Sequence, residues 1–169
     1  LIAKSNAIVC ICPSTERNLG DGMAPIEAFL ERGVRITIGT DSHARMDLTD
    51  ELRSLEDHER LRLEKRLIWA RDKKSMFENL IPVVSRNGYA SLGVKEPNSD
   101  AVFIKIPRHL RGCKPLHVVH NWLIGGSGQD VTDIMINNKW VLQDSQSTQI
   151  REDELYDKVN HILQRITKP

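Results

Sequence analysis

No disulfide framework is written into this sequence. Its three cysteines are an odd number without framework spacing. That excludes a small secreted scaffold stapled by bridges and leaves free, buried thiols of a reducing cytosol as the expectation. No long apolar run is present either: the longest, Ala7–Cys12, is far below the ~18 residues that a membrane span needs. No signal-peptide pattern is visible from Leu1 onward. Charge of one sign is missing too, since 24 basic residues stand against 23 acidic ones for a formal net charge of +1. That balance carries no electrostatic footprint for nucleic acid or an anionic membrane. Internal repeats and low-complexity tracts are also absent.

What is present is a strand–helix–strand unit. Ala7–Cys12 is continuously apolar, as expected of a parallel strand covered on both faces, and Pro13 ends it. Ser14–Gly22, with two glycines and polar side chains, is expected as a loop. A helix over Ala24–Arg32 follows, with Pro25 in its first turn and Gly33 at its C′ position. Arg35–Thr40 then reads as a second strand, which completes a βαβ unit of about 35 residues. It runs into Gly39-Thr40-Asp41-Ser42-His43, the stretch around which the chain is organised. With a period of two, Asp41 shares a face with Gly39 and Thr37, while Ile36 and Ile38 point towards covering helices. A carboxylate at the C-terminal end of a parallel strand stands where α/β enzymes place their chemistry. The plain alternative is an aspartate that caps the next helix or turn.

Downstream, Thr49 or Asp50 is expected to cap a long helix in which Leu48, Leu52, Leu55, Leu63 and Leu67 recur at near-helical spacing. Glu51, Arg53 and Glu56 have the spacing of an intrahelical ion-pair network. The basic run from Arg60 to Lys74 is interleaved with Glu64 and Asp72, next to Asp57 and Glu59, as on a solvated face. Met76–Ile81 begins another helical stretch, Pro82 a fresh turn, and Asn87-Gly88 its end. From Asp100 the character is β: Ala101–Ile106, then Val131–Ile136 and Lys139–Leu142 around Asn137-Asn138, a type I′ pair. Leu116–Gly128 is expected to be irregular or partly helical. Its glycine cluster follows no strand and opens no helix, so it is not a phosphate-binding loop. His117 and His120 stand i, i+3 without the further ligands that a metal site needs. An amphipathic helix closes the chain, with Leu155, Val159, Ile162, Leu163 and Ile166 on one side.

Three stretches carry a resemblance: Cys12-Pro-Ser-Thr-Glu-Arg-Asn-Leu-Gly-Asp-Gly22, Gly39-Thr-Asp-Ser-His43, and Glu51-Leu-Arg-Ser-Leu-Glu56 followed by Arg60-Leu61. Together they resemble the amidohydrolase superfamily of metal-dependent (β/α)8-barrel hydrolases and deaminases, and within it the formiminoglutamate deiminases. The resemblance implies an α/β fold in which residues 1–93 are the C-terminal part of a (β/α)8 barrel, its last two strands and helices. Residues 94–169 would then be part of a small β domain with a C-terminal helix. At 169 residues the chain is shorter than the ~250 of a complete barrel. The H-x-H pair and the further histidines of the superfamily have no counterpart in it, so it is expected to be the C-terminal part of a larger enzyme.

The same resemblance implies one divalent metal, zinc or else iron, with Asp41 both as its ligand and as the carboxylate that moves the proton of the attacking water. Thr15, Glu16, Ser42 and His43 would line the substrate pocket. The implied activity is hydrolytic deimination of a small polar C=N substrate, N-formimino-L-glutamate, releasing ammonia, as a cytoplasmic step of histidine degradation. Two alternatives stand beside it: a ring deaminase or chlorohydrolase of the same superfamily, and a non-catalytic fragment that needs its missing N-terminal half. The expected partners are the small-molecule substrate and either a second copy or that missing half, because two strands cannot close a barrel.

Overall fold

In the computed structural model, which describes residues 1–42, 45–95, 97 and 99–167, two short strands pair in parallel. After a one-turn helix, α1 (Ile2–Ser5), β1 (Ile8–Ile11) runs beside β2 (Arg35–Ile38), in register from Ile8↔Arg35 to Ile11↔Ile38. They belong to a unit made of Leu1–Glu96 and Arg108–Gly128; Pro97–Pro107 and Gln129–Pro169 form a second one.

Between the strands the expected Ser14–Gly22 loop is instead mostly helix: α2 (Pro13–Leu19) begins where β1 stops. Pro13 is preorganised for the first helical position. Two glutamates take the orphan donors of that turn, Glu16 accepting from the Cys12 amide at 3.0 Å and Glu51 from the Ser14 amide at 2.9 Å. After α3 (Ile26–Glu31), Gly33 adopts φ +66°, the left-handed turn expected of it.

The long helix α4 (Leu48–Leu63) is capped by Asp47, not by Thr49 or Asp50, whose amides donate to the Asp47 carboxylate. It stops at Glu64 in the left-handed region, so Leu67 lies beyond it. A Ser75–Glu78 capping box opens α5 (Met76–Val84), which continues through Pro82. The proline sits in the last turn, where its missing N–H costs one backbone bond. The chain then breaks at Ser85, and Asn87-Gly88 falls inside α6 (Arg86–Ser91) instead of ending a helix. There the pair serves contact with β2: the Asn87 side-chain amide donates to the Ile36 carbonyl at 2.8 Å. A Cβ added at Gly88 would lie 3.5 Å from the Thr37 hydroxyl. The segment expected to be irregular contains α7 (Pro115–Gly125), which buries Val118 and Leu123. Ile11, Ile36, Leu52, Leu55, Leu80 and Leu123 belong to one apolar cluster at the centre of this unit.

The thiols are free, but they are not buried. Cys10 and Cys113 are exposed and Cys12 is half-buried. Cys10 lies on the strand face opposite Ile11, and it is Ile11 that joins the apolar cluster.

The second unit is an antiparallel sheet in the order β3 (Ala101–Ile104), β4 (Val131–Ile136), β5 (Lys139–Gln143) and β6 (Gln146–Ser147). Asn137 and Asn138 have φ of +51° and +60°, as a type I′ hairpin requires. Asp144 and Ser145 repeat that conformation between β5 and β6. α8 (Glu152–Ile166) follows, its Leu155, Val159, Ile162, Leu163 and Ile166 all exposed. Among the described residues no helix is long and apolar enough to cross a membrane.

Candidate active site

The strand ends and the first turn of α2 build one polar site. The ladder continues one bond past the strands, from the Gly39 amide to the Ile11 carbonyl at 3.1 Å. Beyond it the two chains diverge, β1 into α2 and β2 into the turn that carries Asp41. Thr15 bridges them. Its hydroxyl donates to the Thr40 carbonyl at 3.1 Å, lies 3.0 Å from the Ser42 hydroxyl, and accepts from the Ser42 amide at 3.3 Å. A threonine has one hydroxyl proton. Since the Thr40 carbonyl takes it, the Ser42 hydroxyl is the donor in the remaining pair. The hydrogen-bonding capacity of Thr15, only 4% exposed, is thus met inside the protein.

Asp41, beside that clamp, is exposed and has φ of +48°. Aspartate tolerates the left-handed region better than most residues, and here it lets the chain turn straight out of β2. Glu16 is half-buried, with one carboxylate oxygen on the Cys12 amide. The Cys12 thiol registers this environment. Burial first, then neighbouring Cys10 and the negative charges of Asp41 and Glu16, push it up to about 11. Of the residues singled out in the sequence, Asp41, Thr15, Glu16 and Ser42 therefore gather at one place. His43 lies outside the described residues.

The residues that brace the site were expected to do something else. Glu51 makes no intrahelical ion pair. It is fully buried, and its two oxygens accept the amide and the hydroxyl of Ser14. Arg53 reaches across to the Gly126 carbonyl at 2.8 Å. Glu56 does pair with Arg60, yet it also accepts the amides of Ile68 and Trp69. Glu59 is not on a solvated face; it is buried, holding Arg62 by both oxygens and the Glu27 amide at 2.8 Å. The signal was present in the helical wheel: Glu51, Glu56 and Glu59 sit among Leu52 and Leu55 on the apolar stripe. A carboxylate placed there must find buried donors.

A divalent ion would find one oxygen ligand in Asp41. Among the described residues no three of His, Cys, Asp and Glu converge on a point that could hold a metal. The residues present therefore fit such an ion only as far as a single ligand, and structural sites take about four.

A model of the amidohydrolase family matches residues 1–126. The formimidoylglutamate deiminase of Pseudomonas aeruginosa is 34% identical over 151 residues, which are 85% of this chain and 33% of that protein. A 5-methylthioadenosine/S-adenosylhomocysteine deaminase of Halothermothrix orenii is 26% identical, over 98% of this chain and 39% of its own length. Among solved structures, an amidohydrolase from Brucella melitensis superposes with a TM-score of 0.85 at 26% identity, covering 99% of this chain and 38% of that one. An adenosine deaminase from Xanthomonas campestris with bound zinc shares the fold, with a TM-score of 0.77 at 21% identity over 98% of this chain and 38% of its own. The chain spans between 33% and 39% of the length of these relatives. This chain belongs to the amidohydrolase family.

Proposed function

We propose that this chain is part of a metal-dependent hydrolytic deiminase acting on N-formimino-L-glutamate. In that reading residues 1–93, with the α7 segment packed on them, are the C-terminal part of a (β/α)8 barrel in which β1 and β2 are strands seven and eight. Residues 94–169 otherwise contribute to a small β domain. The enzyme is a cytoplasmic one with a divalent ion, zinc or else iron, and Asp41 is the ligand to it from this chain. The ion supplies Lewis acidity towards the substrate and its water.

One observation carries the proposal: the Thr15 hydroxyl ties the turn of Asp41 to the helix that starts in the Pro13–Glu16 stretch. Asp41 takes the proton of the attacking water and hands it to the departing nitrogen. The water oxygen bonds to the formimino carbon, the bond from that carbon to the terminal nitrogen breaks as the remaining hydroxyl proton also passes to that nitrogen, and ammonia leaves the N-formyl product. Ser42 and Glu16 line the substrate side, Glu16 through the oxygen not spent on Cys12. Thr15 acts by holding the turn. The subunit completes itself with a second copy or with barrel segments not in this chain.

A second reading, deamination of a purine-like ring, is favoured by the H. orenii relative, which covers more of this chain than the P. aeruginosa one does. Ammonia release separates the two when measured on the complete, metal-replete enzyme that carries this chain. Turnover of formiminoglutamate but not of 5-methylthioadenosine supports the proposal, and the reverse replaces it with ring deamination. Turnover of neither rejects both substrates. Asp41→Asn is expected to lower turnover by about 10²–10⁴-fold, the range of general acid–base catalysis. Near-normal turnover by that variant would reduce Asp41 to a turn residue.

A further inference from the structure

The end of β1 carries two cysteines on one face. Cys10 and Cys12 stand two positions apart with Ile11, the last residue of the strand, between them, so their side chains leave the chain on the same side. That side is opposite to Ile11 and hence to the apolar cluster. Cys10 is exposed and Cys12 is half-buried. Across from them β2 brings no side chain. Gly39 follows Ile38, the partner of Ile11, and a Cβ added at Gly39 would lie 3.4 Å from the sulfur of Cys10 and 3.4 Å from that of Cys12. The two thiols thus converge over one bare backbone position, and they are hydrogen-bonded to each other.

Two cysteines so placed could be joined directly or through an ion, and the strand decides between the two. A disulfide needs Cα atoms about 4.4–6.8 Å apart and Cβ atoms about 3.8 Å apart. Two steps along a parallel strand already cover about 6.6 Å, with the two Cα–Cβ bonds nearly parallel. A direct S–S bond would therefore buckle β1 where it pairs with β2. An ion between the sulfurs spans more. At roughly the 2.3 Å of a zinc–sulfur bond, two such bonds bridge up to about 4.6 Å.

The surroundings select the kind of ion. Burial, the neighbouring thiol and then the charges of Asp41 and Glu16 all disfavour a bare thiolate at Cys12. Only an ion that bonds strongly to sulfur holds such a pair deprotonated, and soft thiolate ligands suit Cu(I).

We propose that Cys10 and Cys12 form a binding site for one soft monovalent cation, Cu(I), held between their sulfurs over Gly39. Each thiol gives up its proton to solvent as its sulfur bonds to the ion, so the bound unit carries one net negative charge and no oxidation state changes. This ion is distinct from the divalent one proposed at Asp41, and the site does not depend on that assignment.

Anaerobic titration of the reduced 169-residue chain with Cu(I), against a chromogenic Cu(I) chelator, tests this. The chain is expected to retain one equivalent, and X-ray absorption at the copper edge is expected to show two sulfur neighbours. Cys10→Ser and Cys12→Ser should each weaken retention by at least about tenfold, because each removes one of the two bonds to sulfur. Cys113→Ser, which removes the third thiol, should bind as the parent does. The absorption spectrum is read on the parent, so it decides even where a serine variant does not fold. Four outcomes overturn the proposal: loss of all copper to the chelator, nitrogen or oxygen neighbours in place of sulfur, a folded Cys10→Ser variant that retains copper like the parent, or retention that disappears in Cys113→Ser.

Discussion

Replacing Glu51 with alanine should cost more stability than any exposed glutamate, although no ion pair to it is found among the described residues. Its side chain is fully buried, and both oxygens accept from Ser14, itself 4% exposed. Hydrogen bonds to a charged group contribute about 1.5–3 kcal/mol each, and a stranded buried donor costs about 1–3 kcal/mol. Relief of the carboxylate's own desolvation offsets part of that sum. The terms are not additive, so a net loss of about 3 kcal/mol is the expectation. With a urea slope of about 1–3 kcal/mol/M, the midpoint falls by roughly 1–3 M. Glu51→Gln keeps the shape and one carbonyl oxygen, and its amide can donate to the Ser14 hydroxyl. That variant should lose only about 1 kcal/mol. Urea melts followed by tryptophan fluorescence measure both, with exposed Glu152→Ala as the control. If Glu51→Ala melts with the control, Ser14 is solvated and the bracing of α2 from α4 is wrong.

Other consequences follow from the same contacts. Burial, the largest influence on Asp47, raises its pKa, but hydrogen bonds from the Thr49 hydroxyl and from the Gly128, Asp50 and Thr49 amides outweigh it and hold the carboxyl below its ordinary 3.8. Its contribution is therefore full above that value and is lost as pH falls through the lower folded-state pKa. The stability gap between parent and Asp47→Asn in urea melts should be wide at pH 7 and closed in acid. Thr15→Val removes the donor to Thr40 and the acceptor for Ser42 at nearly constant volume. It should cost about 1 kcal/mol and raise the mobility of residues 40–42 in amide relaxation, whereas unchanged relaxation would show that the clamp is not what orders the turn. Asn138→Gly, at φ +60°, should raise the midpoint of the second unit's melt, because the second residue of a type I′ turn favours glycine.

What could be read ahead of the structure was local. β1 and β2 follow from β-branched apolar runs, and the Asn137-Asn138 turn from two residues that tolerate positive φ, both determined within a few positions. α2 was missed because the partner of its first turn is Glu51, 37 residues away. Asn87-Gly88 looked like a stop because that pair usually ends helices; only contact with Ile36 and Thr37 shows that a small residue and a side-chain amide are needed there. Asp41 stood out by its position after a strand. That Thr15 holds its turn is a hydrogen bond from the first turn of α2 to a residue 25 positions away, which no periodicity encodes.

The glutamates of α4 explain why so polar a helix lies at the centre of this unit. Each carboxylate is spent on backbone donors that nothing else satisfies: Glu51 on the first turn of α2, Glu56 on Ile68 and Trp69, Glu59 on the first turn of α3. Two of the three meet helix N-termini, where the peptide dipoles favour negative charge. An apolar side chain at any of these positions would fill the space but leave N–H groups buried and unpaired. The consequence reaches the candidate site in three steps. Glu51 holds Ser14, the next residue along α2 is Thr15, and Thr15 holds the turn that carries Asp41. The position of the one carboxylate proposed to do chemistry is thus set from α4 through Ser14 and Thr15. Substitutions on the buried face of α4 should then disturb the Asp41 turn before they unfold the chain.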